Sequence, residues 1–167
     1  MGFPMSGHLI SKNSNLSIKV YNRSIEKTEK WISKFGGILC RSPSEAAEGS
    51  DVVFICVGND KDVEQVVIGD NGIMTSIPEN SIIVDHTTAS AKLATKLYSH
   101  CKKSKNVSFL DAPVSGGQVG AENGQLTIMV GGEKNIYNKV YPLLLSYAKN
   151  TTLIGSSGTG QLAKMVN

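Results

Sequence analysis

Two adjacent glycines follow a serine at Ser115-Gly116-Gly117, in a chain that contains 17 glycines among its 167 residues. Because glycine has no Cβ, backbone amides at such a place come close to a bound ligand, and the serine hydroxyl adds a further donor. Donors that converge in this way suit an anionic group such as a carboxylate. The alternative is a tight loop that needs glycine for its backbone alone. The residues by themselves leave both interpretations open.

Lys164 and Asn167 stand three residues apart in the sequence. In a helix this spacing puts both side chains on one face, where they reach the same ligand. A lysine in a partly desolvated cleft exchanges a proton with a substrate hydroxyl, whereas most lysines are solvated surface residues. The preceding Gly158-Thr159-Gly160 segment favours the cleft, because a glycine-rich approach lets the chain bend sharply beside a ligand.

Short apolar runs that alternate with amphipathic segments indicate the elements that position these residues. Asp51–Gly58 is apolar throughout its interior, as expected for a parallel strand covered by helices on both faces. The other predicted strands are Ser17–Tyr21, Ile38–Cys40, Ser81–Asp85, Val107–Ala112, Leu126–Val130 and Thr151–Ile154. Alternation of strands and helices predicts an α/β fold with a doubly wound, mostly parallel sheet in one unit.

Apolar residues at three-to-four spacing predict three helices between the strands, at Ser24–Phe35, Ala89–Lys103 and Glu133–Tyr147. We expect their apolar stripes to lie in the core. The stripes comprise Ile25, Thr28, Trp31, Ile32 and Phe35, then Leu93, Ala94, Leu97 and Cys101, then Ile136, Val140, Leu143, Leu144 and Tyr147. A further helix is expected near Phe3, because Pro4 suits a first helical turn.

The composition is that of an ordinary globular protein, with 40% hydrophobic and 19% charged residues. A net charge of +3 is too small to imply nucleic acid as a partner. No apolar run approaches the roughly 18 residues of a membrane span, and no signal segment opens the chain. Three cysteines without C-x-x-C spacing favour a reducing compartment. The sequence therefore predicts a soluble, cytoplasmic protein.

Several motifs together resemble the 3-hydroxyisobutyrate dehydrogenase family, within the wider group of β-hydroxyacid and 6-phosphogluconate dehydrogenases. The family signature is similar to Asp111–Gly117, Gly120–Gly124 and Leu126–Gly132. Met1–Met5 resembles the end of the family's G-x-G-x-M-G-x-P-M loop. Asp85–Thr88 resembles its D-x-S/T-T turn, and Gly158–Asn167 resembles its G-x-G-x-x-x-K-x-x-N helix. The motifs occur in order and cover essentially the whole chain.

The resemblance implies a Rossmann-like, NAD(P)-dependent oxidoreductase that transfers a hydride between the cofactor and a small 3-hydroxy acid such as 3-hydroxyisobutyrate, giving a semialdehyde. Lys164 is then the catalytic lysine. Ser115, Gly116 and Gly117 bind the substrate carboxylate, and Asn167 helps to orient it. Tartronate semialdehyde and 4-hydroxybutyrate are alternative substrates. We expect the full-length enzyme to be a homo-oligomer.

The same resemblance implies where the dinucleotide binds. The residues expected to contact it are Gly2, Phe3, Pro4 and Met5 at the phosphate loop, Val57, Gly58 and Asn59 on the adenosine and ribose side, and Thr88 at the nicotinamide ribose. Gly2 corresponds to the third glycine of the loop, and the helix that follows faces the pyrophosphate with its N-terminus.

Asn22, Arg23 and Ser24 follow the strand that carries the cofactor-selecting residue in dinucleotide-binding domains. An acidic residue there binds both ribose hydroxyls of NAD, and this chain has none at that position. Arg23 would hold the 2′-phosphate of NADP in a fork, with neutral hydrogen bonds from Asn22 and Ser24. We therefore expect NADP to be preferred over NAD. The alternative is that Arg23 is a solvated residue at a helix start.

The three histidines, His8, His86 and His100, lie far apart and lack the spacing of metal ligands, so no metal site is expected. His86 follows Asp85, which would suit a charge relay, but the chain has no G-x-S-x-G nucleophile motif. The favoured interpretation of His86 is a loop histidine near the cofactor.

The expected domain organisation follows from the resemblance. Residues 1–157 form the dinucleotide-binding domain without its first strand, and residues 158–167 begin the helix that leads to an absent α-helical domain. Two alternatives to an active enzyme are a non-catalytic dinucleotide-binding module and an inactive fragment that binds cofactor poorly. Lys164, Asn167 and Ser115 together argue against the first, because a non-catalytic module has no chemical need for all three.

Overall fold

The strands of the protein form two sheets that no hydrogen-bonded strand pair joins. The computed structural model describes residues 1–167. The smaller sheet contains β1 (Lys19–Val20) and β2 (Ile38–Leu39). The larger sheet contains β3 (Val52–Ile55), β4 (Ile82–Asp85), β5 (Ser108–Asp111), β6 (Val114–Ser115), β7 (Leu126–Gly131) and β8 (Ala148–Gly155). All the predicted strands are present, with ends that differ by a few residues.

Most strand pairs are parallel, as the alternation of strands and helices predicts. β3, β4 and β5 lie side by side in parallel, and β7 and β8 form a second parallel pair. The two groups meet through antiparallel pairing: Asp111 of β5 is opposite Gly131 of β7, and β6 pairs with the first half of β7. The sequence does not predict β6, because Pro113 separates it from β5 and breaks the apolar run.

β1 and β3 each have one edge without a partner strand. β1 pairs only with β2, and β3 is the end strand of the larger sheet, next to β4. A dinucleotide-binding sheet with strand order 3-2-1-4-5-6 has a strand at this position, and no strand of this chain joins the two sheets.

Eight α-helices connect the strands. They are α1 (Gly2–Lys12), α2 (Ile25–Phe35), α3 (Pro43–Ala47), α4 (Asp60–Ile68), α5 (Ala91–Lys105), α6 (Gly117–Glu122), α7 (Lys134–Leu144) and α8 (Thr159–Val166), with a 3₁₀ turn at Ile73–Thr75. The apolar pattern does not predict α3, α4 or α6. Tyr147, assigned to the stripe of the third predicted helix, lies beyond the end of α7 but is buried. None of the helices combines the length and the apolar character that a membrane crossing requires.

Two apolar clusters form the core, one on each face of the larger sheet. Alternate residues of β4 separate into them, with Ile82 and Val84 in one cluster and Ile83 in the other. This follows from the two-residue period of a strand. α1 and α7 contribute to the first cluster, and α4 and α5 to the second. Helices on both faces confirm the predicted doubly wound fold, in which ligands bind at the carboxyl ends of the strands.

Candidate active site

A cleft of about 320 Å³ lies at the carboxyl ends of β3 and β4, beside the end of β6 and helix α8. Its lining residues come from separate stretches of the chain. They are Met1, Cys56, Val57, Gly58, His86, Thr87, Thr88, Val114, Ser115, Gly116, Gly117 and Lys164. Because open α/β sheets bind their ligands at the carboxyl ends of the strands, this cleft is the candidate active site.

The Ser115–Gly117 segment in the cleft wall has a backbone that requires glycine. Gly116 and Gly117 have φ values of 128° and 61°, which residues with a Cβ rarely adopt. An added Cβ on Gly117 would meet no atom within 4 Å, so the surface there is open. The two interpretations drawn from the sequence are thus compatible, because a turn that needs glycine also presents bare backbone to the cleft.

Helix α8 brings Lys164 into the wall of the same cleft. Asn167 lies close by, and its Nδ2 donates a hydrogen bond to Ser115 Oγ, 3.3 Å away. Ser115 and Asn167 are 52 residues apart in the sequence, so the contact depends on the folded sheet. The structure therefore brings together the three side chains that sequence analysis assigns to substrate binding and proton transfer.

Three of the residues expected to contact the dinucleotide, Val57, Gly58 and Thr88, also line the cleft. Asn59 does not. Its Oδ1 accepts a hydrogen bond from the Asp62 amide at 3.1 Å, which caps the N-terminus of α4. The Asn59 side chain is thus engaged in helix capping.

At the start of α1, Gly2 lies against the cleft wall. An added Cβ on Gly2 would lie 3.4 Å from Cys56 Cβ. Phe3 packs edge-on against the aromatic ring at the end of α2, and Met5 belongs to the core, with 4% of its surface exposed. Phe3, Pro4 and Met5 do not line the cleft.

Arg23 is an exposed residue that precedes α2 and lies outside the cleft lining. Its Nη1 is 3.6 Å from Asp62 Oδ1, while Asp62 Oδ2 packs over Gly58, where an added Cβ would come within 2.8 Å. The ion pair therefore places Arg23 near the Gly58 side of the cleft. Asn22 Oδ1 accepts a hydrogen bond from the Ser24 amide at 2.9 Å, which forms a local turn at the start of α2.

His86 is a buried residue of the cleft wall with a defined tautomer. Its Nδ1 lies 2.7 Å from the carbonyl oxygen of Ala112, which only accepts hydrogen bonds, so Nδ1 carries the proton. Nε2 then accepts the hydroxyl of Tyr147 at 2.8 Å. Burial lowers the pKa of His86 to about 4, so the ring is neutral near pH 7. Both ring nitrogens have protein partners, and His86 connects β4 to the end of β5 and to the segment between α7 and β8.

Asp85, at the end of β4, is a buried carboxyl group. Its Oδ1 accepts a hydrogen bond from the Thr87 amide at 2.9 Å. Burial raises the pKa of Asp85 from 3.8 to about 7, hydrogen bonds from Thr87 oppose this shift, and the nearby Asp111 carboxylate adds to it. Asp85 therefore takes up a proton close to neutral pH.

Asp111, at the end of β5, is fully buried against the first turn of α8. Its Oδ1 accepts a hydrogen bond from the Gly158 amide at 2.7 Å, and Oδ2 accepts one from the Gln161 amide at 3.0 Å. In the sequence, Asp111 is notable only as the start of a motif, and no role is predicted for Gln161. The sequence signal for Asp111 is an acidic residue at the end of an apolar strand. Such a carboxylate is buried and therefore needs hydrogen-bond donors from elsewhere in the fold.

A model of the NAD binding domain of 6-phosphogluconate dehydrogenase matches residues 1–155 of the chain. The chain belongs to this family. Its cleft is therefore the candidate dinucleotide site of an NAD-binding domain of the 6-phosphogluconate dehydrogenase family, and the predicted class of cofactor, a nicotinamide dinucleotide, is confirmed.

Similar proteins come from several bacteria. An uncharacterized oxidoreductase of Shewanella frigidimarina is 47% identical over 167 residues, which are 100% of this chain and 56% of the relative. The 2-hydroxy-3-oxopropionate reductase of Escherichia coli is 33% identical, with 100% and 56% covered. The solved structure of Mycobacterium tuberculosis 3-hydroxyisobutyrate dehydrogenase with L-serine is 27% identical, has a TM-score of 0.89, and is matched over 100% of this chain and 55% of that one. The chain thus spans about half the length of these relatives, and the predicted Rossmann-like fold and β-hydroxyacid dehydrogenase group are confirmed.

The buried carboxyl group of Asp85 makes stability depend on pH. The folded protein keeps a proton on Asp85 up to about pH 7, whereas the unfolded chain releases it near pH 3.8. Stability from this group is present below pH 3.8 and is lost as the pH rises through 7. Asp85→Asn should therefore gain stability relative to wild type as the pH rises. The difference in the free energy of unfolding, variant minus wild type, should be roughly 4 kcal/mol larger at pH 8 than at pH 4. Denaturant titrations of both proteins across this pH range measure the difference.

Asp70→Asn is the matched control, because Asp70 is exposed and its substitution should leave the pH dependence unchanged. Comparing variant with wild type also removes the contribution of His86, which has the opposite sign: its lowered pKa makes stability fall as the pH drops from 6.5 to about 4. A pH-independent difference between Asp85→Asn and wild type would contradict the assignment.

Proposed function

We propose that the full-length protein is an NAD(P)-dependent oxidoreductase that converts a small 3-hydroxy acid into its semialdehyde and catalyses the reverse reduction. The observation that carries this proposal is the convergence of Lys164, Asn167 and the Ser115–Gly117 segment on one cleft of an NAD-binding domain. The names of two relatives, a 2-hydroxy-3-oxopropionate reductase and a 3-hydroxyisobutyrate dehydrogenase, support the same substrate class.

The residues at the carboxyl ends of β3 and β4 fit a dinucleotide. Val57, Gly58 and Thr88 line the cleft there, and α1, a helix of 11 residues, begins at the same wall. The amides at a helix N-terminus suit a pyrophosphate, and glycine at position 2 leaves the approach free of a Cβ, which would lie 3.4 Å from Cys56. When bound, the nicotinamide accepts or supplies the hydride. We assign residues 1–157 to the dinucleotide-binding domain and residues 158–167 to the start of the interdomain helix.

In this proposal the substrate carboxylate binds to the Ser115–Gly117 segment. Asn167 Nδ2 donates to Ser115 Oγ, so the Ser115 hydroxyl hydrogen remains free to donate to a carboxylate oxygen. The bare backbone of Gly116 and Gly117 allows the carboxylate to approach closely. Asn167 orients the serine and, through it, the substrate.

Lys164 is the proton-transfer residue of the proposal. In the oxidation its neutral amine takes the proton of the substrate hydroxyl, while a hydride passes to the nicotinamide from the carbon that bears this hydroxyl. The product has a carbonyl group at that carbon. In the reduction the ammonium returns that proton to the carbonyl oxygen. The first substrate to test is 3-hydroxyisobutyrate, with tartronate semialdehyde, which is 2-hydroxy-3-oxopropionate, and 4-hydroxybutyrate as the alternatives.

Replacing the proposed proton-transfer residue should separate chemistry from cofactor binding. In the full-length protein, Lys164→Ala should lower kcat for 3-hydroxyisobutyrate oxidation by about 100-fold or more, while the Kd for NADP stays within about twofold of wild type. Steady-state kinetics and fluorescence titration measure the two quantities. Lys139→Ala, which changes an exposed lysine of α7, is the control and should match wild type. Wild-type turnover by Lys164→Ala would rule out the role of this lysine.

Arg23 should decide the preference for NADP. Arg23→Ala should weaken NADP binding by roughly 10- to 100-fold, the loss expected for a charge-assisted hydrogen bond, and leave NAD binding nearly unchanged. Lys27→Ala, a loss of one exposed positive charge on α2, controls for the general electrostatic effect. Titrations with both dinucleotides give the ratio of the two Kd values. An equal loss for NADP and NAD, or no loss, would show that Arg23 does not contact the 2′-phosphate.

A further inference from the structure

The first turn of α8 is held from a neighbouring strand. Asp111 accepts hydrogen bonds from the Gly158 amide at 2.7 Å and the Gln161 amide at 3.0 Å, one on each carboxylate oxygen. Amides at the start of a helix have no acceptor within the helix. The carboxylate supplies those acceptors, and a negative charge at this end also interacts favourably with the helix dipole. Asp111 therefore caps α8 across the fold.

Glycines let α8 approach the sheet closely. An added Cβ on Gly160 would lie 2.5 Å from the carbonyl oxygen of Met129 and 2.7 Å from that of Asp111. One on Gly131 would lie 2.6 Å from Asp111 Oδ1. Carbon atoms do not approach oxygen this closely without displacing it, so the start of α8 is in direct backbone contact with β5 and β7. The position of the helix is fixed at this end.

Gln161 makes a second connection from the same turn. Its side-chain Oε1 accepts a hydrogen bond from the Ala89 amide at 3.0 Å, and its Nε2 donates one to the Thr87 carbonyl at 2.8 Å. Gln161 is buried, with 1% of its surface exposed. Because Thr88 lies between these two partners and lines the cleft, Gln161 sets the position of α8 relative to the turn after β4.

These contacts connect the two sides of the cleft. Lys164 follows Gln161 by three residues, about 4.5 Å further along the helix axis. Ser115 follows Asp111 by four residues, on the segment that continues into the cleft wall. One buried carboxylate thus ties the helix that carries Lys164 to the chain segment that carries Ser115.

We propose that Asp111, assisted by Gln161, is a positioning residue that sets the separation between Lys164 and the Ser115–Gly117 segment. Neither side chain lines the cleft, so both act through α8 and not on the ligand. The inference rests on the proposed function for the role of Lys164 in proton transfer. Burial raises the pKa of Asp111, and the amides of Gly158, Gln161 and Gly160 counteract that rise, as expected of a carboxylate that works as a hydrogen-bond acceptor.

The test is Asp111→Asn in the full-length protein. The asparagine amide nitrogen replaces one acceptor oxygen and faces a backbone N–H, so one anchor of α8 is lost with little change in volume. We expect kcat with 3-hydroxyisobutyrate and NADP to fall about tenfold or more, because misplacing a catalytic group slows chemistry. The Kd for NADP should stay within about twofold. The primary isotope effect on kcat, measured with substrate deuterated at the carbinol carbon, should rise, because hydride transfer becomes rate-limiting.

Asp60→Asn is the matched control. Asp60 accepts hydrogen bonds from the amide and the hydroxyl of Ser90, at 2.9 and 2.5 Å, and so anchors the start of α5 in the way that Asp111 anchors α8. Its substitution should lower stability but leave kcat and the isotope effect at wild-type values. Gln161→Met keeps the side-chain volume and removes both side-chain hydrogen bonds of Gln161. It should reproduce the loss of kcat, and it provides the test of the positioning role if Asp111→Asn does not fold.

The outcomes separate this inference from the proposed function. If Lys164→Ala is inactive while folded Asp111→Asn and Gln161→Met keep wild-type kcat and isotope effects, the positioning role is wrong and the proposed function stands. If Lys164→Ala keeps its turnover, both are wrong. A loss of kcat in Asp60→Asn equal to that in Asp111→Asn would show a general effect of stability and would also overturn the positioning role.

Discussion

The carboxylate of Asp111 is buried where β5 ends, and a buried negative charge is costly unless hydrogen-bond donors surround it. In this protein the donors are the amides of Gly158 and Gln161, so the same interaction that satisfies the carboxylate also fixes α8 on the sheet. Glycine at positions 131 and 160 makes the contact possible, because a Cβ at either would collide with oxygen atoms. The position of Lys164 depends on this contact, since it belongs to the same short helix.

A second buried acid lies beside the first. Asp85 and Asp111 are opposite each other in the parallel register of β4 and β5. Two neighbouring carboxyl groups each disfavour the ionisation of the other. Asp111 accepts two amides of α8 and Asp85 accepts the amide of Thr87. Burial raises the pKa of both carboxyl groups, that of Asp85 to about 7. His86 is the next residue after Asp85, and its neutral ring makes hydrogen bonds with the Tyr147 hydroxyl and the Ala112 carbonyl oxygen. Asp85, Asp111 and His86 thus all have hydrogen-bond partners within the fold, and of the three only His86 lines the cleft.

The sequence predicts the parts of this molecule that depend on local pattern. Val52–Ile55 and the stripe of α5 are found as expected, because burial on both sides of a strand or on one side of a helix leaves a periodic record. α4 is missed although Asn59 and Asp62 form a capping pair, since its apolar stripe is short. The resemblance to a family assigns Ser115 and Asn167 to one substrate, but neither the resemblance nor the spacing predicts the hydrogen bond between them. The hydrogen bond between His86 and Tyr147 joins residues 61 positions apart, and no local pattern specifies such a pair.

The central claim is that Lys164 and the Ser115–Gly117 segment act on one substrate molecule. A crystal structure of the full-length protein with NADP and a non-reactive 3-hydroxy acid analogue tests it most directly. The account predicts the analogue carboxylate within hydrogen-bond distance of Ser115 Oγ and the glycine amides, with Lys164 Nζ within hydrogen-bond distance of the analogue hydroxyl. A carboxylate bound elsewhere, or a hydroxyl held by another residue with Lys164 turned to solvent, would contradict it.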